Sequence, residues 1–437
     1  MNARTNRLSM RQDVVWGLLR RAADAAPDAR AAADPTRNLT YSGLCAVVDD
    51  YAKGLLASGL KRGDRLAMLA APSTDFWVAF HAAASIGVIW LGVNPRYQAR
   101  DFEHLLGDSA PALIVAMSPF EGRDYCAELQ ALAPATPLLA HGQATSGAMS
   151  LADFLEAGQS ISDHDLAAAR AKVEAEDIAL IVYTSGTTGR PKGAMLSHRA
   201  IVASALANLD WMGRDGLASS ICAAPVNHVG AINNLCMPVL AAGGRIIFHP
   251  RVDLEAIGEI SRRERPTYLV SSPTGFAMML QQPQDALRRL DATRLIVFGG
   301  AATAVGVLEK IARPGLRLFN VYGQTETCGI ITRTAEGASL ATMAETIGQG
   351  LPGAEVRVAA AGETVEAPLG EAGEIQVRGP YVMTGYFGNP QATAAAFTAD
   401  GFLRTGDLGV RRSDGNIVFT GRLKEIINRG GEKIAPK

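Results

Sequence analysis

Short apolar runs alternate with helix-patterned stretches through most of this chain, and this alternation constrains the fold more than any other feature. The apolar runs include Arg65–Leu69, Ala112–Ala116, Ile178–Tyr183, Arg245–Phe248, Tyr268–Val270, Arg294–Phe298 and Arg317–Val321. Short strands separated by helices are typical of α/β layers with largely parallel sheets. Because 437 residues are too many for one hydrophobic core, we predict two or three packed units.

The pattern changes near residue 345. From there, strand-like runs are separated by glycine-rich turns, and they comprise Glu355–Val358, Glu374–Val377, Phe402–Arg404 and Asn416–Phe419. This pattern predicts a small β-rich, barrel-like subdomain after two α/β layered subdomains.

Charge and cysteine usage exclude several classes of protein. The formal net charge is -1, whereas a nucleic-acid-binding protein usually carries a basic excess. The five cysteines are scattered and contain no C-x-x-C pair, which fits a reducing cytoplasm and neither a disulfide framework nor a zinc site. The N-terminus lacks the apolar region of a secretory signal. We therefore expect a cytoplasmic protein with no nucleic-acid partner.

One segment imitates a membrane span. Phe76–Val93 is almost wholly apolar, but it contains His81 and reads as a helix, Phe76–Ser85, followed by a strand, Val88–Val93. A run near the lower length limit for a span, with a break inside it, favours a core segment. We expect no transmembrane segment.

The segment Tyr183–Gly193 reads Y-T-S-G-T-T-G-R-P-K-G and follows an apolar strand. Its glycines let backbone N–H groups approach an anion, while the hydroxyls add donors and Lys192 adds a positive charge. The segment does not fit the Walker pattern, because Lys192 follows Arg-Pro and precedes Gly193. Taken alone, such a turn is more often an ordinary polar turn than a phosphate site.

Three further blocks change that balance. They are Asn320–Glu326 (N-V-Y-G-Q-T-E), Gly401–Gly409 with Thr-Gly-Asp at its centre, and Gly421–Gly431 (G-R-L-K-E-I-I-N-R-G-G). Together with Tyr183–Gly193 they resemble, in order, the motifs of the adenylate-forming superfamily: acyl-CoA synthetases, luciferases and the adenylation domains of peptide synthetases. The resemblance extends from about Leu39 to Lys437.

The resemblance implies an acyl-CoA synthetase. Its substrates would be a small-molecule carboxylate, ATP and CoA, with Mg²⁺ as cofactor; the products would be an acyl-adenylate and then a CoA thioester. It also implies a domain order of residues 1–344 as the nucleotide- and acyl-binding body, 345–420 as the β-rich subdomain, and 421–437 as the hinge and start of a lid. The family's lid carries a lysine beyond this hinge, so we expect the present chain to bind nucleotide and to activate acids slowly.

Two alternatives stay open: acyl transfer to a carrier protein, and a non-catalytic nucleotide-binding relative. The sequence does not reveal the oligomeric state. A separate motif, Gly348–Gly353, satisfies G-x-G-x-x-G. We reject a dinucleotide site there because Pro352 and a strand follow it, whereas that motif opens a helix.

Individual roles follow from the resemblance and suit the residue types. Tyr322 offers a flat face for adenine and Asn320 an amide for its exocyclic nitrogen. Asp407 could accept both ribose hydroxyls, and Glu326 provides a hard oxygen for Mg²⁺. The implied catalytic residues are Thr184, Lys192, His228, Thr325 and Glu326. The implied nucleotide-binding residues are Thr184, Ser185, Gly186, Thr187, Thr188, Gly189, Lys192, Gly299, Gly300, Ala301, Asn320, Val321, Tyr322, Gly323, Gln324, Thr325, Asp407 and Arg422.

The resemblance also places Lys424 at the hinge and a pocket for the acid. The pocket residues are His228, Val229, Gly230, Gly299, Gly323, Cys328 and Gly329. The segments around them contain no Arg or Lys, so a second carboxylate buried there would lack a partner. We expect a medium-sized monocarboxylate, unless a basic residue such as Arg96 or Arg333 enters the pocket.

Overall fold

The computed structural model describes residues 14–143, 147–184, 190–281, 290–360 and 362–423, and the backbone of 427–429 and 432–434. The contacts divide the chain into two compact units. The first contains the described residues of Met1–Tyr183, Met195–Leu206 and Cys222–Val252. The second contains those of Thr184–Ala194, Ala207–Ile221 and Asp253–Lys437.

The described helices are α1 (Val15–Ala25), α2 (Tyr41–Ala57), α3 (Thr74–Ser85), α4 (Ala99–Ser109), α5 (Tyr125–Leu132), α6 (Leu151–Gly158), α7 (Asp163–Arg170), α8 (His198–Met212), α9 (Met237–Ala241), α10 (Leu254–Glu264), α11 (Pro273–Leu280), α12 (Val305–Ile311), α13 (Leu340–Glu345) and α14 (Pro390–Ala396). A π-helix covers Gly230–Cys236 and a 3₁₀ turn covers Thr325–Thr327.

The described strands are β1 (Arg30–Ala33), β2 (Asn38–Thr40), β3 (Arg65–Leu69), β4 (Ile89–Val93), β5 (Leu113–Ser118), β6 (Leu138–Gly142), β7 (Met149–Ser150), β8 (Ile178–Thr184), β9 (Lys192–Ser197), β10 (Ser219–Cys222), β11 (Arg245–Phe248), β12 (Tyr268–Ser271), β13 (Leu295–Gly299), β14 (Arg317–Gln324), β15 (Gly329–Arg333), β16 (Gln349–Gly350), β17 (Glu355–Ala359), β18 (Ala372–Arg378), β19 (Gly385–Tyr386), β20 (Leu403–Arg411), β21 (Ile417–Arg422), β22 (Ile427–Arg429) and β23 (Glu432–Ile434).

A parallel sheet forms the centre of the first unit. Its strands lie in the order β8-β4-β3-β5-β6-β7, and every pair in that order for which the register is known is parallel. Strand β4 is buried along its whole length, as expected of a strand covered on both faces. Helices begin where side chains cap them: the Thr40 hydroxyl accepts the Gly43 N–H at 3.1 Å before α2, and Ser73 accepts the Phe76 N–H at 3.2 Å before α3.

The apolar segment around Phe76 is part of this core. Helix α3 and strand β4 are buried, and Trp77 stacks on Phe80 with ring centroids 5.6 Å apart. No helix in the described part of the chain is long and apolar enough to cross a membrane. The prediction that this segment is core is therefore confirmed.

The second unit contains a mixed sheet and a small antiparallel one. In the first of these, β12, β13 and β14 are parallel neighbours, and β15 continues antiparallel to β14. Phe276, Ile296 and Phe298 pack in the core beneath it. Strands β17-β18-β20-β21 form the antiparallel sheet. The predicted fold class, α/β layers with largely parallel sheets plus a small β subdomain, is confirmed; the predicted boundaries at residues 344 and 420 stay predictions.

The G-x-G-x-x-G segment does not open a helix. After β16 the chain turns and enters strand β17. The strand–loop–helix context of a dinucleotide site is therefore absent at these described residues, and the decision to reject such a site there is supported.

Three histidines of the first unit are buried in the neutral form. Burial lowers the pKa of His81 to about 3, that of His141 to about 4 and that of His198 to about 4. The His81 ring meets Trp77 edge-to-face, with centroids 4.3 Å apart. Neither of its nitrogens has a hydrogen-bond partner among the described residues.

These low pKa values predict acid-sensitive stability. Because the folded pKa of His81 lies below its usual value of 6.5, the unfolded chain binds a proton more readily. The stabilisation is complete above pH 6.5 and is lost as the pH falls toward 3. Between about pH 7 and about pH 5, His81 should cost the parent protein up to about 2 kcal/mol of its free energy of unfolding. His81→Phe should lack this loss, as measured by urea denaturation at both pH values.

His164→Gln is the matched control, because the His164 side chain is 91% exposed. It should leave the pH dependence of unfolding as it is in the parent protein. If the two variants gave identical pH profiles, the assignment of a neutral, desolvated His81 would be wrong.

Candidate functional site

The carboxyl ends of two neighbouring parallel strands form one edge of the candidate site in the second unit. Gly299, at the end of β13, pairs with Val321 of β14. A Cβ on Gly299 would lie 2.2 Å from the Val321 carbonyl oxygen, and one on Gly323 would lie 1.8 Å from the Gly329 oxygen. Only glycine fits where backbones approach so closely. Ligands of α/β sheets bind at this end of the strands.

Tyr322, Asp407 and Arg422 meet in one hydrogen-bonded group. The Tyr322 hydroxyl donates to Asp407 Oδ2 at 2.7 Å, and Arg422 Nε lies 3.1 Å from Asp407 Oδ1. The Asp407 side chain is only 6% exposed, whereas that of Arg422 is 58% exposed. Burial, followed by the Asp407 charge, raises the pKa of Tyr322. The phenol is therefore a stable hydrogen-bond donor at neutral pH.

The Asn320 side chain is anchored behind this group. Its Nδ2 atom donates to the Met343 and Thr346 carbonyl oxygens, each at 2.8 Å. Both amide hydrogens are thereby used, which fixes the amide orientation. The atom that Asn320 can offer a ligand is Oδ1, an acceptor, as an exocyclic amine requires.

A second group surrounds Glu326. The Tyr386 hydroxyl donates to Glu326 Oε1 at 2.9 Å, and Thr184 Oγ1 lies 3.4 Å from the same oxygen. Lys192 Nζ lies 5.1 Å from the centre of the Tyr386 ring, within cation–π range. Burial, followed by the Glu326 charge, raises the pKa of Tyr386. A lysine and a carboxylate thus lie beside one tyrosine, and a threonine hydroxyl lies beside that carboxylate.

This group suits a magnesium ion held jointly with phosphates. The described residues contain no group of three or more His, Cys, Asp or Glu side chains that could hold a metal. Mg²⁺ commonly takes one or two carboxylates and completes its shell with phosphate oxygens and water. Glu326, with the Thr184 hydroxyl beside it, fits that role.

Residues between these groups complete the edge. Thr325 is buried at the start of the 3₁₀ turn, and Cys328 ends that turn in the left-handed region with φ of +57°. Gln324 Nε2 lies 3.5 Å from the Thr405 carbonyl oxygen. Gly300 and Ala301 are exposed just beyond β13.

His228 lies in the first unit, with Val229 and Gly230 at the start of the π-helix. Its Nδ1 atom accepts the Gly230 N–H at 3.0 Å, so a neutral ring carries its proton on Nε2. The residue is exposed to solvent, and the protein atoms around the ring lower its pKa by partly desolvating it. The π-helix that follows, Gly230–Cys236, is a rare geometry that occurs often at functional sites.

Some predicted residues cannot be placed. Ser185, Gly186, Thr187, Thr188, Gly189 and Lys424 lie outside the described residues. Those of the second unit that are described, from Thr184 to Arg422, lie in the groups above or on the strand ends that join them.

Two aromatic residues of the site, Tyr386 and Phe419, are absent from the residues predicted from sequence. Tyr386 follows no motif that identifies its contact with Glu326. Phe419 is 41% exposed, and its ring centre lies 6.4 Å from that of Tyr322. A large aromatic at an outward position of a strand was the available signal, because such positions are usually polar.

Comparison with known proteins identifies the family. A sequence profile described as AMP-binding enzyme matches residues 19–387. The chain belongs to this family, the adenylate-forming superfamily. The predicted family is confirmed. The predicted enzyme class, an AMP-forming acid–thiol ligase, is confirmed as well.

Several relatives of this adenylate-forming chain are similar over most of their length. Indoleacetate–CoA ligase of Aromatoleum aromaticum is 32% identical over 402 residues, which cover 92% of this chain and 77% of that protein. Feruloyl-CoA synthase of an Amycolatopsis species is 32% identical over 427 residues, or 95% and 80% of the two chains. The crystal structure of ATP-bound MatB from Rhodopseudomonas palustris superimposes with a TM-score of 0.83 at 29% identity, covering 96% of this chain and 81% of that one.

The close backbone approach at Gly323 predicts a sharp difference between two glycine substitutions. Gly323→Ala should lower the free energy of unfolding by about 1–3 kcal/mol, because the new methyl group overlaps the Gly329 oxygen. Gly306→Ala is the control: nothing lies within 4 Å of a Cβ there, and alanine in helix α12 should stabilise by about 0.5–1 kcal/mol. Urea denaturation measures both. Equal effects of the two substitutions would contradict the geometry at Gly323.

Proposed function

We propose that this chain catalyses the ATP-dependent activation of a carboxylic acid and its transfer to CoA. A carboxylate oxygen of the acid attacks the α-phosphorus of ATP, and pyrophosphate leaves with the electron pair of the broken bond. The CoA thiol loses its proton and attacks the acyl carbonyl carbon, and AMP leaves. The grouping of Tyr322, Asp407 and Arg422 beside the Glu326 group in one unit is the observation that carries this proposal.

The first group supplies a nucleoside site. The Tyr322 ring provides a stacking face for adenine, and Phe419 lies close enough to contribute a second aromatic surface. Asn320 Oδ1 would accept from the exocyclic amine. Asp407 would accept the two ribose hydroxyls, and the exposed guanidinium of Arg422 would contact the ribose and phosphate. Gly299, Gly300, Ala301, Val321, Gly323 and Gln324 would form the wall beside the base.

The second group supplies charge neutralisation. Carboxylate and triphosphate repel each other, so the barrier falls when positive charge and donors surround the α-phosphate. Lys192, Thr184 and Thr325 would contact phosphate oxygens, together with Ser185, Gly186, Thr187, Thr188 and Gly189. Glu326 would hold Mg²⁺, which when bound supplies positive charge to the phosphates. Tyr386 orients the Glu326 carboxylate by donating to it.

We assign His228 the role of orienting the acid. A neutral imidazole whose Nδ1 is occupied by the Gly230 N–H presents an Nε2–H donor. Such a donor holds a carboxylate oxygen without transferring a proton to it. Within the second unit, Gly299, Gly323, Cys328 and Gly329 would line the acyl pocket, and Lys424 would act as the hinge.

We propose a medium-sized monocarboxylate as the acid. Arg333, one of the cations considered for the pocket, is used elsewhere: its guanidinium lies 5.1 Å from the centre of the Trp211 ring and donates to the Thr334 carbonyl oxygen at 3.1 Å. These contacts hold the Arg333 guanidinium against Trp211 and Thr334, which supports a pocket in which Arg333 does not pair with a second carboxylate. Two relatives are named for indoleacetate and for feruloyl-CoA. The acyl groups in both names belong to monocarboxylic acids larger than acetate.

The proposed role of Glu326 predicts a magnesium-dependent defect. Glu326→Gln should slow ATP–pyrophosphate exchange by about 100-fold at saturating ATP, because one charge-stabilising group is lost at the phosphoryl centre. The magnesium concentration needed for half-maximal rate should rise. Glu371→Gln, at an exposed position, should change neither quantity. An unchanged rate with an unchanged magnesium requirement would refute the role.

The proposed substrate class predicts a definite order of specificity. The protein, assayed with indole-3-acetate, ferulate, benzoate, hexanoate, octanoate, acetate and malonate, should give the highest kcat/KM for an acid with a ring or a six- to eight-carbon chain. Malonate should be slower by at least about 100-fold, because a buried carboxylate without a partner costs several kcal/mol. A preference for malonate would contradict the proposal.

The thiol acceptor is tested in the same assay. Thioester formation with free CoA as the thiol acceptor supports a CoA ligase. Adenylate formation that continues only to a carrier protein's pantetheine would support the carrier alternative instead.

A further inference from the structure

We propose that Glu374 is a positioning residue for nucleotide binding: its carboxylate holds the strand distortion at Thr405–Asp407 that presents Asp407 to the ribose. The inference rests on the proposed function, in which Asp407 accepts the ribose hydroxyls. All residues involved lie in the second unit.

Strand β20 is irregular at this point. Gln376 of β18 pairs with Arg404 of β20, and Glu374 pairs with Leu408, so Ile375 alone faces the three residues from Thr405 to Asp407. Gly406 adopts the left-handed region with φ of +73°, which explains the glycine there. Such bulges occur beside active sites, where they redirect a side chain.

The distortion removes a ladder partner from the Gly406 N–H, and Glu374 replaces it. Glu374 Oε1 accepts this N–H at 3.2 Å. Its Oε2 accepts from Arg404 Nη1 at 3.0 Å and from Gln376 Nε2 at 3.1 Å. The carboxylate is 4% exposed. Burying a charge is costly, and these three donors compensate for it.

Other contacts fix the remaining polar groups of the distortion. The Thr405 hydroxyl donates to the Ile375 carbonyl oxygen at 2.6 Å and accepts the Asp407 N–H at 3.1 Å. The Leu423 N–H donates to the Gly406 oxygen at 2.8 Å. Glu374 thus supplies the acceptor for the Gly406 N–H, as the Thr405 hydroxyl does for the Asp407 N–H.

The consequence is specific to the ribose. Without the Glu374 carboxylate, the Gly406 N–H and Arg404 lose their acceptor, and the backbone before Asp407 loses a constraint. Strand β21 still pairs with Asp407 through Arg422, and Tyr322 and Arg422 still contact the Asp407 carboxylate, so Asp407 stays in place but its carboxylate is less precisely oriented. The affinity for the ribose hydroxyls should fall, while contacts to the base and the phosphates remain.

The test compares ATP with 2′,3′-dideoxy-ATP, which lacks the two hydroxyls. Calorimetry gives both dissociation constants for the parent protein, Glu374→Leu, Glu374→Gln and Asp407→Ala. The ratio of the dideoxy-ATP constant to the ATP constant should fall about tenfold in Glu374→Leu, the usual size of one lost hydrogen bond to a charged group. Binding of dideoxy-ATP itself should change less than about twofold.

The ratio of the two dissociation constants for Glu374→Gln should lie between those of the parent protein and Glu374→Leu, because one amide oxygen cannot accept from the donors on both sides. If Glu374→Leu fails to fold, the glutamine variant carries the test. Glu355→Gln is the control: Glu355 pairs with Arg378 on the same sheet, 2.6 Å apart, with both side chains exposed. Its ratio should equal that of the parent protein.

The outcomes separate the two levels of the argument. If Asp407→Ala leaves the ratio unchanged, the proposed ribose role of Asp407 is wrong. If Asp407→Ala lowers the ratio and the Glu374 variants do not, the ribose role stands and the positioning role of Glu374 is overturned. Equal weakening of both nucleotides by Glu374→Leu also overturns it, because a general structural defect acts on both.

Discussion

The contacts of the buried Asp407 carboxylate with Tyr322 and Arg422 are the interaction on which the rest of the proposed nucleotide site depends. It accepts from Tyr322 of the mixed sheet and pairs with Arg422 of the small antiparallel sheet, so one side chain joins two sheets of the second unit. A buried charge requires partners, and here the partners are themselves groups that we propose contact the nucleotide. In the proposed function, one electrostatic requirement therefore positions the side chains assigned to the base, the ribose and the phosphate.

The Glu326 group follows a similar principle with a different centre. Tyr386 touches both the carboxylate and Lys192, and its backbone strand β19 lies beside the beginning of β9, where the Phe387 N–H donates to the Gly193 oxygen at 2.8 Å. The lysine that ends the glycine-rich segment is thus held by the same short stretch that orients the carboxylate. Opposite charges are kept near each other by an aromatic residue that contacts both.

Much of this arrangement could be predicted from sequence, since it depends on local patterns. Strand β3 has the predicted bounds, and so has β11, because a short apolar run between turns specifies a buried strand without help from distant residues. The choice of Tyr322, Asp407 and Glu326 came from motif resemblance, and the structure brings Tyr322 and Asp407 together. Tyr386 and Glu374 could not be predicted, because their roles arise from contacts between segments distant in sequence. The bend at Thr405–Asp407 depends on strand register, which no local pattern contains.

Because three histidines of the first unit are neutral when folded, the unfolded chain binds more protons than the folded protein at acidic pH. Below their ordinary pKa of 6.5, unfolding takes up as many as three protons at His81, His141 and His198. Linkage then makes the unfolding free energy fall by up to about 4 kcal/mol for each pH unit. A domain of ordinary stability, about 5–15 kcal/mol, has little room for such a slope. Protons would act as ligands that bind the unfolded state of this protein. As the pH falls, the folded fraction would therefore drop over a narrow pH range and not gradually.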